Sequence, residues 1–142
     1  MADVGVIRKR IRAEIDKARH DQAERRSRVA EATRAYEDFL QKAAIPVFRM
    51  FANILKAEGY PFEVATPAGG VRLQSERNRE DAIEIELDIT ADPPQPLVTI
   101  TRHRGSRVVQ SDRSIKWNTA LEQLTEDDVI EMVLEELRPW LR

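Results

Sequence analysis

The clearest periodicity in the chain lies at residues 82–90, where Ile83, Ile85, Leu87 and Ile89 alternate with Glu84, Glu86 and Asp88. Successive side chains of a strand point to opposite faces, so a period of two predicts a strand with one apolar wall and one acidic wall. Flanking strands are read at 62–66, 71–75, 97–103 and 107–112, punctuated by Pro67, Gly69, Gly70, Pro93, Pro94, Pro96 and Gly105. Their short connections make an antiparallel five-stranded meander the simplest topology. On the acidic face that meander would set Glu84, Glu86 and Asp88 between Arg72 and Gln74 on one side and Thr99, Thr101 and His103 on the other.

Elsewhere the period changes to that of a helix. No Pro and no Gly interrupts residues 6–45, which are rich in Ala, Arg, Glu, Lys and Gln; these strong helix formers predict one long helix over about 3–43, with Asp3 as N-cap. Its apolar positions, Val4, Ile11, Ala18, Ala32 and Phe39 with Ile15, Val29, Tyr36 and Ala43 interleaved, form a narrow seam interrupted at Gln22 and Arg25. Pro46 is expected to break the helix. A second, more apolar helix follows over 47–58 with Val47, Phe48, Phe51, Ile54 and Leu55 on its core face, ended by Gly59. Residues 114–124 read as a packed connector. Thr125 then caps a final helix over 126–138 whose apolar face is Val129, Ile130, Val133, Leu134, Leu137 and Leu141, with Pro139 ending or bending it.

An alternating sheet needs a cover, and the helices after Pro46 and Thr125 supply one. The expected fold is α+β: a long N-terminal helix, a second helix, the meander, and a C-terminal helix packed on one sheet face. At 1.5 Å per residue the first helix spans roughly 60 Å, about twice the width of a domain built from the remaining chain. The chain therefore divides into a protruding helix, 1–44, and a two-layer domain, 45–142. Val4, Ile7, Ile11, Ile15, Val29 and Tyr36 are the expected interface residues, because exposed aliphatic stripes mark contacts with another chain.

Charge sharpens this picture. The net charge is only −2, yet residues 1–59 hold 13 Lys/Arg against 9 Asp/Glu while residues 60–142 hold 10 against 16. The densest basic cluster is Arg8, Lys9, Arg10 and Arg12, a candidate site for nucleic acid. Further along, Arg12 with Asp16, Lys17 with Asp21, Asp21 with Arg25 and Glu24 with Arg28 stand at i, i+4, the spacing of a charge-laced exposed helix. No cysteine is present, so neither a disulfide framework nor a Cys-based metal site is possible. The first 15 residues lack the apolar core of a secretion signal, and no apolar run reaches the length of a membrane span. A cytoplasmic protein without a membrane span is expected.

Chemistry-bearing patterns are sparse. His20 lies among Lys17, Arg19, Asp21 and Glu24 and reads as a solvated surface residue. His103 with Glu86 and Asp88 is the one arrangement from which a metal or acid–base site could be built, but its spacing matches no metal motif. No nucleophile elbow or phosphate-cradling loop is present. Trp117 and Trp140 are read as core fillers at the sheet edge. The function these features favour is that of a non-catalytic interaction protein, without metal or cofactor, forming a homodimer through its first helix and binding protein partners. A ligand-binding domain or enzyme on the acidic sheet face, and nucleic-acid binding through Arg8 to Arg12, are the alternatives.

Overall fold

A carboxylate opens the first helix. Asp3 Oδ1 accepts the Gly5 N–H at 2.9 Å, satisfying one of the free donors of the first turn. From there α1 (Val4–Phe39) runs without interruption through a single π-helical turn, Leu40–Ala44, into α2 (Ile45–Ala57). The computed structural model describes residues 3–141.

The expected break at Pro46 does not occur. Proline cannot donate and its ring clashes with the carbonyl four residues back; the wider π-turn, in which the Ile45 N–H reaches back five residues to the Leu40 carbonyl, makes room for it at the start of α2. The turn also solves a phasing problem. Along an ideal helix, Tyr36 and Leu40 would point roughly 100° away from Phe48, Ala52 and Leu55. The one extra residue held by the π-turn removes that difference, so both groups enter the same core. Core packing accordingly begins at Tyr36, inside the segment assigned to the protruding helix, because the Tyr36 hydroxyl finds the Gly69 carbonyl at 2.9 Å.

α2 ends as its sequence dictates. Gly59 takes a positive φ of 89°, its N–H bonds the Lys56 carbonyl, and the Tyr60 N–H bonds that of Leu55 at 2.8 Å, together closing a Schellman motif. The chain then forms the sheet: β1 (Phe62–Ala65), β2 (Gly70–Ser75), β3 (Ala82–Asp88), β4 (Gln95–Arg104) and β5 (Arg107–Arg113), antiparallel and in sequential order, the expected meander. Val71, Leu73, Ile83, Ile85, Val98 and Ile100 share its buried face. β3 stops two residues earlier than its alternation suggests, and Ile89, expected in the apolar wall, stands in the following turn at 54% exposure. Alternation alone does not register that Asp88 folds back onto Thr90, its carboxylate accepting both the hydroxyl, at 2.6 Å, and the backbone N–H, at 2.9 Å.

α3 (Glu126–Leu137) begins with a full capping box: Thr125 Oγ1 accepts the Asp128 N–H and Asp128 accepts the Thr125 N–H. Burial works against the Asp128 charge, but the Thr125 bonds and Lys116 nearby hold its carboxyl below the usual value. Val129, Met132, Val133 and Leu137 join the core, and a 3-10 turn containing Pro139 ends the helix.

Two residues beyond Ile100 on the same sheet face sits Arg102, whose Nη2 meets Glu136 of α3 at 2.6 Å and whose guanidinium stacks 4.5 Å from the Trp140 ring centroid. Arg113 also reaches Glu136, at 3.3 Å, and Glu135 at 2.8 Å. These ties fasten α3 to the β4–β5 side. Breaking a fully buried ion pair costs about 3–5 kcal/mol. Since Glu136 retains some solvent contact and keeps Arg113, Arg102→Ala is expected to cost about 1–2 kcal/mol. Urea denaturation measures it; an unchanged midpoint would mean that water and Arg113 already satisfy Glu136.

The tryptophans divide. Trp140 is partly buried, 5.8 Å from the Phe62 ring as well as against Arg102. Trp117, expected in the core, is 85% exposed: Ile115 and Leu121 on either side of it turn inward and leave the indole on the outer bend of the connector.

Candidate interaction surfaces

Overhang is the first feature. Every residue from Val4 to Arg28 is exposed, and the first side chains of α1 to reach the domain are Arg25, which donates to the Ile89 carbonyl at 3.2 Å, and Arg28, which pairs with Asp92 at 3.3 Å. About 20 residues, roughly 30 Å of helix, therefore stand clear of the domain. Within them Val4, at 69% exposure, Ile7, Ile11, at 53%, and Ile15 form one stripe, and a shallow trough runs between Ile7, Ile11, Ile15 and Ala18. Counted at 3.6 residues per turn, this stripe continues the face that carries half-buried Val29 and buried Tyr36 and Leu40. The six expected seam residues thus fall on one helix face but in three settings: Tyr36 is a core residue of its own domain, Val29 lies at the domain's rim, and Val4, Ile7, Ile11 and Ile15 have no cover.

A groove between α2 and α3 is the second feature. Val47, Met50, Phe51, Ile54, Tyr60, Ile130, Leu134 and Leu141 are among the residues that line about 590 Å³ of open, almost wholly apolar space. Ile54, Leu134 and Leu141, assigned to core faces from their spacing, are exposed here, Ile54 at 62%. The signal was available in the width of the apolar arc. With Met50 added, α2 carries apolar residues over more of its circumference than one sheet-facing stripe requires.

The acidic face of the sheet dissolves into separate local roles. Glu84 stands opposite Arg72 and lies 3.8 Å from its guanidinium. Arg72 also donates to Gln74 Oε1 at 3.0 Å, and Gln74 to Glu63 Oε1 at 2.8 Å, so a polar chain crosses three strands. Asp88 is held by Thr90, whose hydroxyl and N–H lower its carboxyl below the usual value. Only Glu86 is both exposed and without a cation within pairing distance among the described residues. The expected neighbours are only partly right: Thr99 does oppose Glu84, whereas Thr101 faces Ala82 and His103 pairs with Val108 beyond the end of β3.

His103 therefore stands far from Glu86 and Asp88, with its own N–H donated to Asp81 Oδ1 at 2.7 Å. Among the described residues no three His, Asp or Glu side chains come together as a metal-binding set. His20 is solvent-exposed on α1, 3.0 Å from Glu24. The charge lacing expected along α1 is not formed: none of the four anticipated pairs occurs among the described ion pairs; Arg25 and Arg28 turn to Asp92, Glu24 lies against His20, and Arg12, Asp16, Lys17 and Asp21 stand exposed. Arg8, Lys9, Arg10 and Arg12 are all exposed. Helical spacing distributes them, with Arg8 and Arg12 on one flank of the aliphatic stripe, Arg10 on the other and Lys9 behind, which is unlike a single row tracking phosphates.

No protein-family model, curated protein or solved structure matches this chain. No helix among the described residues is long and apolar enough to cross a membrane.

Proposed function

We propose that this protein is a non-catalytic interaction protein of the cytoplasm that self-associates through α1 and presents its α+β domain to protein partners. The observation that carries the reading is the uncovered stripe of Val4, Ile7, Ile11 and Ile15 on the part of α1 that stands clear of the domain. Full burial of an aliphatic side chain contributes about 1.5–3 kcal/mol. These side chains are already about half covered by their own helix, so two stripes together supply roughly 6–12 kcal/mol, against an association cost of about 4–15 kcal/mol. A reversible, concentration-dependent homodimer is the expected form.

Light scattering coupled to size exclusion, across a hundredfold range of concentration, tests it. The wild type is expected to move from monomer to dimer mass, and Ile11→Glu/Ile15→Glu to remain monomeric with an unchanged circular dichroism spectrum and melting temperature of the monomer. A wild-type chain that stays monomeric at several hundred micromolar would overturn the reading. Point variants are the right instrument, since removing the helix up to residue 43 would take Tyr36, Phe39 and Leu40 out of the core.

A further inference from the structure

The spacing of the uncovered stripe carries more than the fact of pairing. From Val4 the apolar positions advance to Ile7, Ile11, Ile15 and Ala18 in steps of three, four, four and three, an order that reads the same in both directions about Ile11. We infer that α1 pairs with α1 of a second copy in antiparallel orientation, centred on Ile11. Resting on the self-association proposed above, this inference specifies its geometry.

In that arrangement Ile11 meets Ile11 of the second copy, Ile7 meets Ile15, and Val4 meets Ala18, so each apolar position of the overhang finds an apolar counterpart. The trough between Ile7, Ile11, Ile15 and Ala18 receives the corresponding side chains of the other helix. Charge selects the same orientation. Arg8, Lys9 and Arg10 crowd one end of the overhang, while Glu14, Asp16, Asp21 and Glu24 follow them. A parallel, in-register pair would set the basic cluster of one helix against its own copy, a repulsion in the least screened part of the interface. The antiparallel pair instead moves the basic clusters apart and sets Arg10 within one helical turn of Glu14 of the second copy, on the same flank of the seam. It also directs the two domains to opposite ends of a shared rod, where their bulk does not collide.

Absence of cysteine from the chain makes the test direct. Val4→Cys and Ala18→Cys are made separately, carry different tags, and are oxidised alone and as an equimolar mixture. A disulfide needs Cα atoms about 4.4–6.8 Å apart. In the antiparallel pair residue 4 lies beside residue 18 of the second copy, whereas the two copies of residue 4 are separated by 14 residues, roughly 21 Å. The expected result is a mixed-tag disulfide dimer from the mixture and little or none from either variant alone. Efficient self-crosslinking of Val4→Cys would overturn the inference in favour of a parallel pair. No crosslink in any sample, with light scattering still reading a dimer, would also overturn it and move the contact elsewhere, with the α2–α3 groove as the next seat. A monomer by light scattering at every concentration would refute the underlying self-association itself.

Discussion

Tyr36→Ala is expected to cost about 3–5 kcal/mol of folding stability, the range for removing a large buried aromatic side chain. Tyr36 is 2% exposed and closes one end of the core. Its hydroxyl donates to the Gly69 carbonyl at 2.9 Å and lies 3.4 Å from that of Ile85, so it ties α1 to the turn before β2 and to β3. For a chain of this size the loss corresponds to a fall in melting temperature of about 10–20 °C. Tyr36→Phe, which keeps the ring and orphans a carbonyl, should cost only about 1–2 kcal/mol. The phenol adds a pH signature. Burial raises its pKa above the ordinary value of about 10, and Glu86 and Glu84 raise it further. The folded state thus holds the proton more tightly than the unfolded state. The associated stability is complete below pH 10 and declines as pH rises above it toward the folded value. Denaturation midpoints of wild type and Tyr36→Phe between pH 8 and 11 should converge as this contribution disappears. Parallel curves would show that Tyr36 ionises no differently in the two states. By contrast Ile15→Ala, on the same helix face but outside the domain, should leave monomer stability nearly unchanged.

Gly70→Ala is the second substitution with a large expected effect. A Cβ at Gly70 would lie 2.6 Å from the Ile85 carbonyl oxygen, a backbone atom fixed in the β2–β3 ladder. Either the strands separate locally or the pairing at Gly70 and Glu86 is lost, and overpacking of this kind costs about 1–3 kcal/mol. The same carbonyl sits near the Tyr36 hydroxyl, so the strain should propagate to that bond. Gly69→Ala provides the contrast. Its added Cβ meets nothing within 4 Å, but φ is 76°, so the cost should be the backbone penalty alone, about 1 kcal/mol. Equal destabilisation of the two variants in urea titrations would show that the sheet yields at β2 more readily than its geometry implies.

The meander and its core face were legible because Ile83, Ile85, Val71, Leu73, Val98 and Ile100 obey a period of two, which burial on one face enforces. Thr125 and Gly59 were legible because capping is a local bond between near neighbours. What escaped was tertiary in origin. A proline that ordinarily ends a helix is accommodated at Pro46 because a π-turn precedes it, and the need for that turn arises only when Tyr36 and Phe48 must face the same core. Trp117 is large and apolar, but its direction depends on which of its neighbours, Ile115 and Leu121, are drawn inward. The acidic residues of β3 share a face as read; their separation into a cation partner, a turn cap and one free carboxylate depends on Arg72 and Thr90, which alternation does not weigh. The aliphatic stripe of α1 was visible in sequence, while the apolar groove between α2 and α3 showed there only as the wide apolar arc of α2, its position depending on how the two helices pack.

The π-turn at residues 40–44 makes the chain unequally tolerant of changes in length. Deleting one residue there, such as exposed Gln41, would restore ordinary helical pitch and swing everything before it by roughly 100° about the helix axis. Tyr36 and Leu40, on the same face as the aliphatic edge, would turn out of the core together with the arm. Whole heptads inserted between Gln22 and Arg25, by contrast, would only lengthen the arm and nearly preserve its phase. Reach is thus freely adjustable in this architecture, whereas bearing is set by a single surplus residue.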